Sequence, residues 1–176
     1  MMWMRRCIAL SFCMAGSLAA WYAHAQAQAD LPKLQSAYIF NFTQFTQWPA
    51  ERMQNRELRI CASAHSSLRE GLAALDGRAV GARVWRFTIL ADKGAAGCDV
   101  LVVDEGDNAS TEMREAFRSE DALLIIAGVG AITPGDAVIV LVAENDHLRF
   151  DINNSEALRR KLVLSSKLLR LARRPM

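Results

Sequence analysis

Histidine is nearly absent. The 176-residue chain has three, and only His65 and His147 lie beyond residue 25. A hydrolase triad needs a nucleophile, a base and an orienting acid. Ser66, Ser165 and Ser166 are present, but no Gly-x-Ser-x-Gly elbow accompanies them. His65, beside a helix start, reads as a surface residue. A phosphate loop of the Gly-Lys-Ser type is lacking too. Gly128-Val129-Gly130 follows an apolar run, but Thr133 stands where a third glycine belongs. Pro134-Gly135 then blocks the helix that a dinucleotide loop requires. Asp104, Glu105 and Asp107 do not match the ligand order of a calcium loop and read as a solvated loop. Asn-x-Ser/Thr triplets start at Asn41, Asn108 and Asn153, and none is assigned as a glycosylation site. From these absences no catalytic residue, cofactor or metal is expected.

The first residues have the anatomy of a secretory leader. Arg5 and Arg6 precede an apolar run of 15 residues, Cys7 to Trp21, and Ala23-His24-Ala25 is a small-x-small cleavage pattern. A membrane-spanning helix needs roughly 20 apolar residues, so residues 1–25 are expected to be removed. Ala25-Gln26-Ala27 offers a second cleavage site. The leader carries two of the 21 basic residues and none of the 19 acidic ones, which leaves 19 of each. A chain without surplus cations has no electrostatic footprint for nucleic acid. Cys7 and Cys13 leave as well, so Cys61 and Cys98 remain. An even pair in an oxidising compartment favours a disulfide; the alternative is two buried free thiols. Two lone cysteines so far apart do not make a zinc site.

Residues 26–176, 52% hydrophobic over the whole chain, suffice for one domain with a full core. A first helix is expected over 29–48, capped by Asp30, with Leu34, Tyr38, Phe42 and Phe45 on one face as core and Pro49 ending it. Leu58–Ser63 reads as a strand. Ser67-x-x-Glu70 reads as a capping box opening a helix with Leu68, Leu72 and Leu75 on one face and Gly77 past its end. Val84–Leu90 reads as a strand. Val100–Val103, Leu123–Ala127 and Ala137–Ala143 read as strands covered on both faces, with a short helix over Thr111–Arg118. Glu144-Asn145-Asp146 is a turn signal, and Leu148, Phe150 and Ile152 alternate with His147, Arg149 and Asp151 behind it. That predicts an antiparallel hairpin at a sheet edge. Asn153 caps a next helix, and Leu164, Leu168 and Leu171 share a face of the last. The class is α/β: a single-domain layered fold, a central mixed sheet flanked by helices, with a C-terminal antiparallel hairpin and helices.

The stretch Ala37-Tyr38-Ile39-Phe40-Asn41-Phe42-Thr43-Gln44-Phe45-Thr46-Gln47-Trp48-Pro49 resembles the first helix of the YfiR family, which carries an A-Y-x-x-N-F-x-x-F-x-x-W-P pattern behind a signal peptide. Leu58-Arg59-Ile60-Cys61 and Cys98-Asp99-Val100-Leu101 are similar to its strands. Arg149-Phe150-Asp151-Ile152-Asn153 and Leu164-Ser165-Ser166-Lys167-Leu168-Leu169-Arg170-Leu171-Ala172 are similar to its ending. The resemblance implies a periplasmic α/β protein that binds the periplasmic part of an inner-membrane diguanylate cyclase, or a similar sensor protein, and restrains cyclic-di-GMP signalling and biofilm formation. It implies a mainly structural role for Tyr38, Asn41, Phe42, Phe45, Trp48 and Pro49. Some members carry a second cysteine pair near the hairpin. This chain has none from Ala143 to Ile152, so redox sensing would rest on Cys61 and Cys98 alone. The expected contact surface is the wet face of the hairpin and the basic last helix: His147, Arg149, Lys167 and Arg170. A homodimer is a second expected association. The competing expectation is a small solute-binding module, with Gly128–Gly135 lining a crevice at the strand ends.

Overall fold

A computed structural model describes residues 31–90, 94–107, 111–119, 121–133 and 135–173. The expected leader lies outside these residues, as do Asp30, Asn108 and Pro134. A first helix, α1 (31–44), leads into β1 (Thr46–Gln47) and the short α2 (Ala50–Met53). Then follow β2 (Glu57–Ala62), α3 (Arg69–Ala73), β3 (Ala79–Val80), β4 (Arg83–Ile89), β5 (Val100–Val103), α4 (Thr111–Arg118) and β6 (Leu124–Ala127). The chain ends with β7 (Ile139–Glu144), β8 (His147–Ile152), α5 (Asn154–Arg159), β9 (Val163–Leu164) and α6 (Ser166–Leu171).

Seven strands form one mixed sheet in the order β3-β4-β2-β5-β6-β7-β8. The five central strands are parallel, and β3 and β8 close the edges antiparallel. β1 and β9 pair apart from it. Every residue of β5 and β6 is buried, as expected for strands covered on both sides. Alternation sends Val100, Val102, Leu124 and Ile126 to one core with Ile39, Phe42 and Trp85, while Leu101, Val103 and Ile125 join Met113 and Phe117 of α4 in a second. The third apolar run departs from the expectation. β7 buries Ile139 and Leu141 but leaves Val140 exposed, so one of its faces stays open at the sheet margin.

Four further expectations are corrected. The first helix stops at residue 44 rather than 48. Thr46 Oγ1 bonds the Phe42 carbonyl, and Thr46–Gln47 pair with Val163–Leu164, so tertiary strand pairing takes the backbone groups that a longer helix would use. The stripe of that helix is also displaced. Ile39, Phe40 and Phe42 are the buried apolar residues, whereas Leu34 is 45% exposed and Tyr38 and Phe45 are only partly buried. Ser67 forms no capping box. Its N–H and hydroxyl both donate to Asp104, and α3 starts behind Leu68 without a side-chain cap. At the end of the chain, Leu164 lies in β9, not on the last helix. α6 is capped by Ser165, which accepts from Leu168 N–H, and buries Leu168 while Leu171 stays 64% exposed.

Other local signals hold. Gly77 adopts φ +82° behind α3, a conformation that favours glycine. Asn153 accepts from Glu156 N–H as the α5 cap. Gly71 lets α3 lie against α1, because a Cβ there would collide with Ser36. Trp85, fully buried, donates its indole N–H to the Leu72 carbonyl at 3.2 Å. Cys61 of β2 and Cys98 ahead of β5, separated by 37 positions, form a disulfide.

A buried charge cluster fastens α5 to the end of α4. Arg160, with no exposed surface, donates to the Phe117 carbonyl at 2.8 Å and to the Ala116 carbonyl. Glu156 accepts from Arg160 at 2.6 Å and from Arg159 at 2.7 Å. Burial pushes the Glu156 carboxyl up, but the bonds and charges of the two guanidiniums outweigh burial and hold it below its ordinary 4.5. A depressed folded value means that this contribution to stability is full above 4.5 and is lost as pH falls through the folded value. Glu156→Gln should therefore lower the melting temperature at neutral pH, with the gap from wild type closing in acid. A gap that persists unchanged into strong acid would remove the ion-pair account. Reduction of the purified mature protein should free two thiols and lower the melting temperature, with an upper loss of about 4 kcal/mol from the chain-entropy model. Two titratable thiols in gently isolated, unreduced protein would rule out the bridge.

Candidate functional site

Two places in this fold bear on the expectations from the sequence: the crevice at the carboxyl ends of the parallel strands and a groove at the β8 margin. The chain leaves β2 towards β4 on one side and returns to β5 on the other, so the topological switch lies between β2 and β5, where open α/β sheets bind ligands. Here that position is packed by the chain's own groups. The buried Asp104 carboxylate accepts from Ser66 Oγ at 2.9 Å, Ser67 N at 2.6 Å and Ser67 Oγ at 2.9 Å. The Gly128–Gly130 segment is pinned to α1, because Val129 N–H donates to the buried Gln35 Oε1 at 2.8 Å. Asp104 thus stands where an anionic ligand would meet the α3 end. Among the described residues no three His, Cys, Asp or Glu side chains are grouped to hold a metal ion. No helix of the described residues is long and apolar enough to cross a membrane.

The groove lies between α1, β8 and α6 and has a volume of about 470 Å³. Tyr38, Asn41, Phe42 and Phe45 come from α1 and the turn behind it; Leu148, Arg149 and Phe150 come from β8; Leu168 and Leu171 come from α6. The spacing 38, 41, 42, 45 places all four α1 residues on one side of a 3.6-residue helix. Their rings form a connected aromatic floor. Phe42 and Phe150 centroids are 4.9 Å apart, Tyr38 meets Phe42 edge-on at 6.1 Å, and Tyr38 meets Phe150 at 6.4 Å. The Tyr38 hydroxyl donates to the Leu148 carbonyl at 3.3 Å, which ties α1 to the sheet edge.

The rim is cationic. Lys167 Nζ sits 5.6 Å from the Phe45 ring centroid, a cation–π contact worth about 0.5–1 kcal/mol at an exposed site. Arg149 is exposed, and its guanidinium bonds to none of the described residues. None of the described lining residues is acidic. Glu144 and Asp151 of the same hairpin are engaged by Arg173, which bonds Asp151 at 2.8 and 3.1 Å and Glu144 at 3.2 Å. Arg173 N–H also donates to the Phe150 carbonyl at 2.9 Å and so holds the chain behind α6 against β8.

The four residues expected at a contact surface separate here. Arg149 lines the groove and Lys167 stands at its rim. His147 pairs opposite Glu144 at the hairpin tip, and Arg170 is an exposed residue of α6; neither lines the groove. The aromatic motif separates too. Tyr38, Asn41, Phe42 and Phe45 build the groove, while Trp48 is buried outside it, behind β1, and donates to the Asp99 carbonyl at 3.3 Å. Pro49 stands ahead of α2, with its carbonyl accepting from Arg52 N–H at 2.9 Å. Sequence reasoning passed over Leu148, Phe150, Leu168 and Leu171 as lining residues, because their spacing signals burial and nothing more.

The difference between rim and floor is measurable. Leu171→Asp should change unfolding free energy by less than about 0.5 kcal/mol, as for exposed substitutions generally. Phe150→Ala should cost about 3–5 kcal/mol as a large-to-small change in a packed core. Equal losses in urea titrations would show that Leu171 is part of the core.

No curated protein matches the chain. A family model described as YfiR/HmsC-like matches residues 32–173, a span that holds the α1 motif, both cysteines and every groove residue. The chain therefore belongs to the YfiR/HmsC-like family.

Proposed function

We propose that this protein is a periplasmic regulator that binds the periplasmic part of an inner-membrane diguanylate cyclase and restrains it, lowering cyclic-di-GMP signalling and biofilm formation. Family membership supports a role in regulating diguanylate cyclase signalling. The observation that carries the binding step is the groove. It sets the partly buried Tyr38 and Phe45 beside a buried floor of Phe42 and Phe150, leaves Leu171 64% exposed, and adds unpaired cations at the rim. Protein interfaces have this anatomy: an apolar, aromatic-rich centre with a polar edge. The leader, residues 1–25, supplies the route to the periplasm. The packing of Asp104 against Ser66 and Ser67 leaves the solute-binding alternative without support at the strand ends.

Deletion of the gene should raise cellular cyclic-di-GMP and biofilm mass, and the tagged mature protein should copurify a diguanylate cyclase from solubilised membranes. Unchanged cyclic-di-GMP on deletion, with no cyclase recovered, would defeat the proposal.

A further inference from the structure

The partner's docking element can be described by its chemistry, and this inference rests on the function proposed above. We infer that the groove between α1, β8 and α6 receives an amphipathic helix of the partner, with its apolar face on Phe45, Phe150 and Leu171 and with carboxylates directed at Arg149 and Lys167. Three observations lead there.

The first concerns backbone. β8 is an edge strand, and an edge strand beside a groove commonly recruits an extended segment as an added strand. Here two of its outward acceptors are already occupied. The Leu148 carbonyl accepts from the Tyr38 hydroxyl and the Phe150 carbonyl from Arg173 N–H. Arg173 itself is locked by Asp151 and Glu144. A strand would have to displace both contacts, whereas a helix satisfies its own backbone and docks through side chains alone.

The second concerns shape. The walls are α1 and α6, and the floor is the Tyr38, Phe42 and Phe150 ring set. A trough of this kind accepts side chains at positions i, i+3, i+4 and i+7 of a helix. The third concerns charge. Arg149 is without an ionic partner among the described residues, Lys167 touches only the face of Phe45, and none of the described lining residues is acidic. Complementary charges steer association and reject partners of like charge, so the element that fits carries Asp or Glu beside its apolar stripe.

The test selects binders to the mature protein from a display library that holds amphipathic helical peptides with acidic flanks, the same helices with basic flanks, and extended peptides. Acidic helices should enrich, bind more weakly as salt is raised, and lose roughly tenfold or more in affinity in Arg149→Glu and in Leu171→Asp. His147→Ala, outside the groove, serves as the control and should leave binding unchanged. Enrichment of basic or extended peptides, enrichment of none, or affinity indifferent to Arg149→Glu would overturn the inference. So would a concentration-dependent dimer abolished by Leu171→Asp in sedimentation, since the groove would then be filled by a second copy. Copurification of the cyclase gives the separate readout. A cyclase retained by both variants sinks the groove and leaves the proposed function standing. Enriched acidic helices with no cyclase recovered do the reverse.

Discussion

The Asp99 carboxylate is almost completely removed from water, and a buried charge persists only when it is paired and hydrogen-bonded. Asp99 meets both requirements by gathering distant parts of the chain. Its side chain binds Arg83 of β4 and accepts from the Arg59 N–H of β2 at 2.9 Å, with Arg52 of α2 4.0 Å away. Its main chain joins Arg59 and Leu124, and its carbonyl also accepts the Trp48 indole. Arg83 in turn lies 5.8 Å from the Trp48 ring centroid. Cys98, next in the chain, carries the disulfide to β2. Three strands, the end of the first helical segment and the covalent cross-link therefore meet around one charge. An apolar pair of similar volume could be as stable, but losing either partner strands a charge in the core. Such a hub specifies which strands are neighbours rather than how strongly they associate.

That hub anchors the segment behind α1, and the groove forms along one side of the same helix. With Trp48 drawn to Asp99, the helix lies across the sheet so that Ile39, Phe40 and Phe42 enter the core. Tyr38 and Phe45 are left at its flank, over the sheet margin. The last six-residue helix, which borders them, is short and leaves Leu171 in water. The groove is thus the unfinished side of a core layer, bounded by the sheet's last strand. Arg173 closes the edge of β8 by bonding the Phe150 carbonyl and the Asp151 carboxylate.

Much of the fold was legible along the chain. Strands β5 and β6 announced themselves as short Val/Ile/Leu runs, because strands covered on both faces need no polar alternation. The hairpin was legible from its turn residues and from the alternation of Leu148, Phe150 and Ile152. Where the expectation failed, a partner distant in sequence had taken a local group: Val163–Leu164 took Thr46–Gln47 from the helix, and Asp104 took Ser67 from its cap. Of the groove, Tyr38, Phe42 and Phe45 were visible as an aromatic stripe and Arg149 and Lys167 as exposed cations. That they belong together was not visible, since helix, strand and last helix are far apart in the chain.

Local patterning by itself determined the class of this protein and the existence of its central strands, because both depend on residue type and short spacing. The tertiary structure alone decided that the Tyr38–Phe45 stripe would stand at a margin instead of a centre, and that Asp104 would pack the strand-end crevice. It also decided that the β8 carbonyls would be occupied. The reason is common to all three: burial and hydrogen-bond satisfaction depend on which groups arrive from elsewhere in the chain, and no local pattern encodes that arrival.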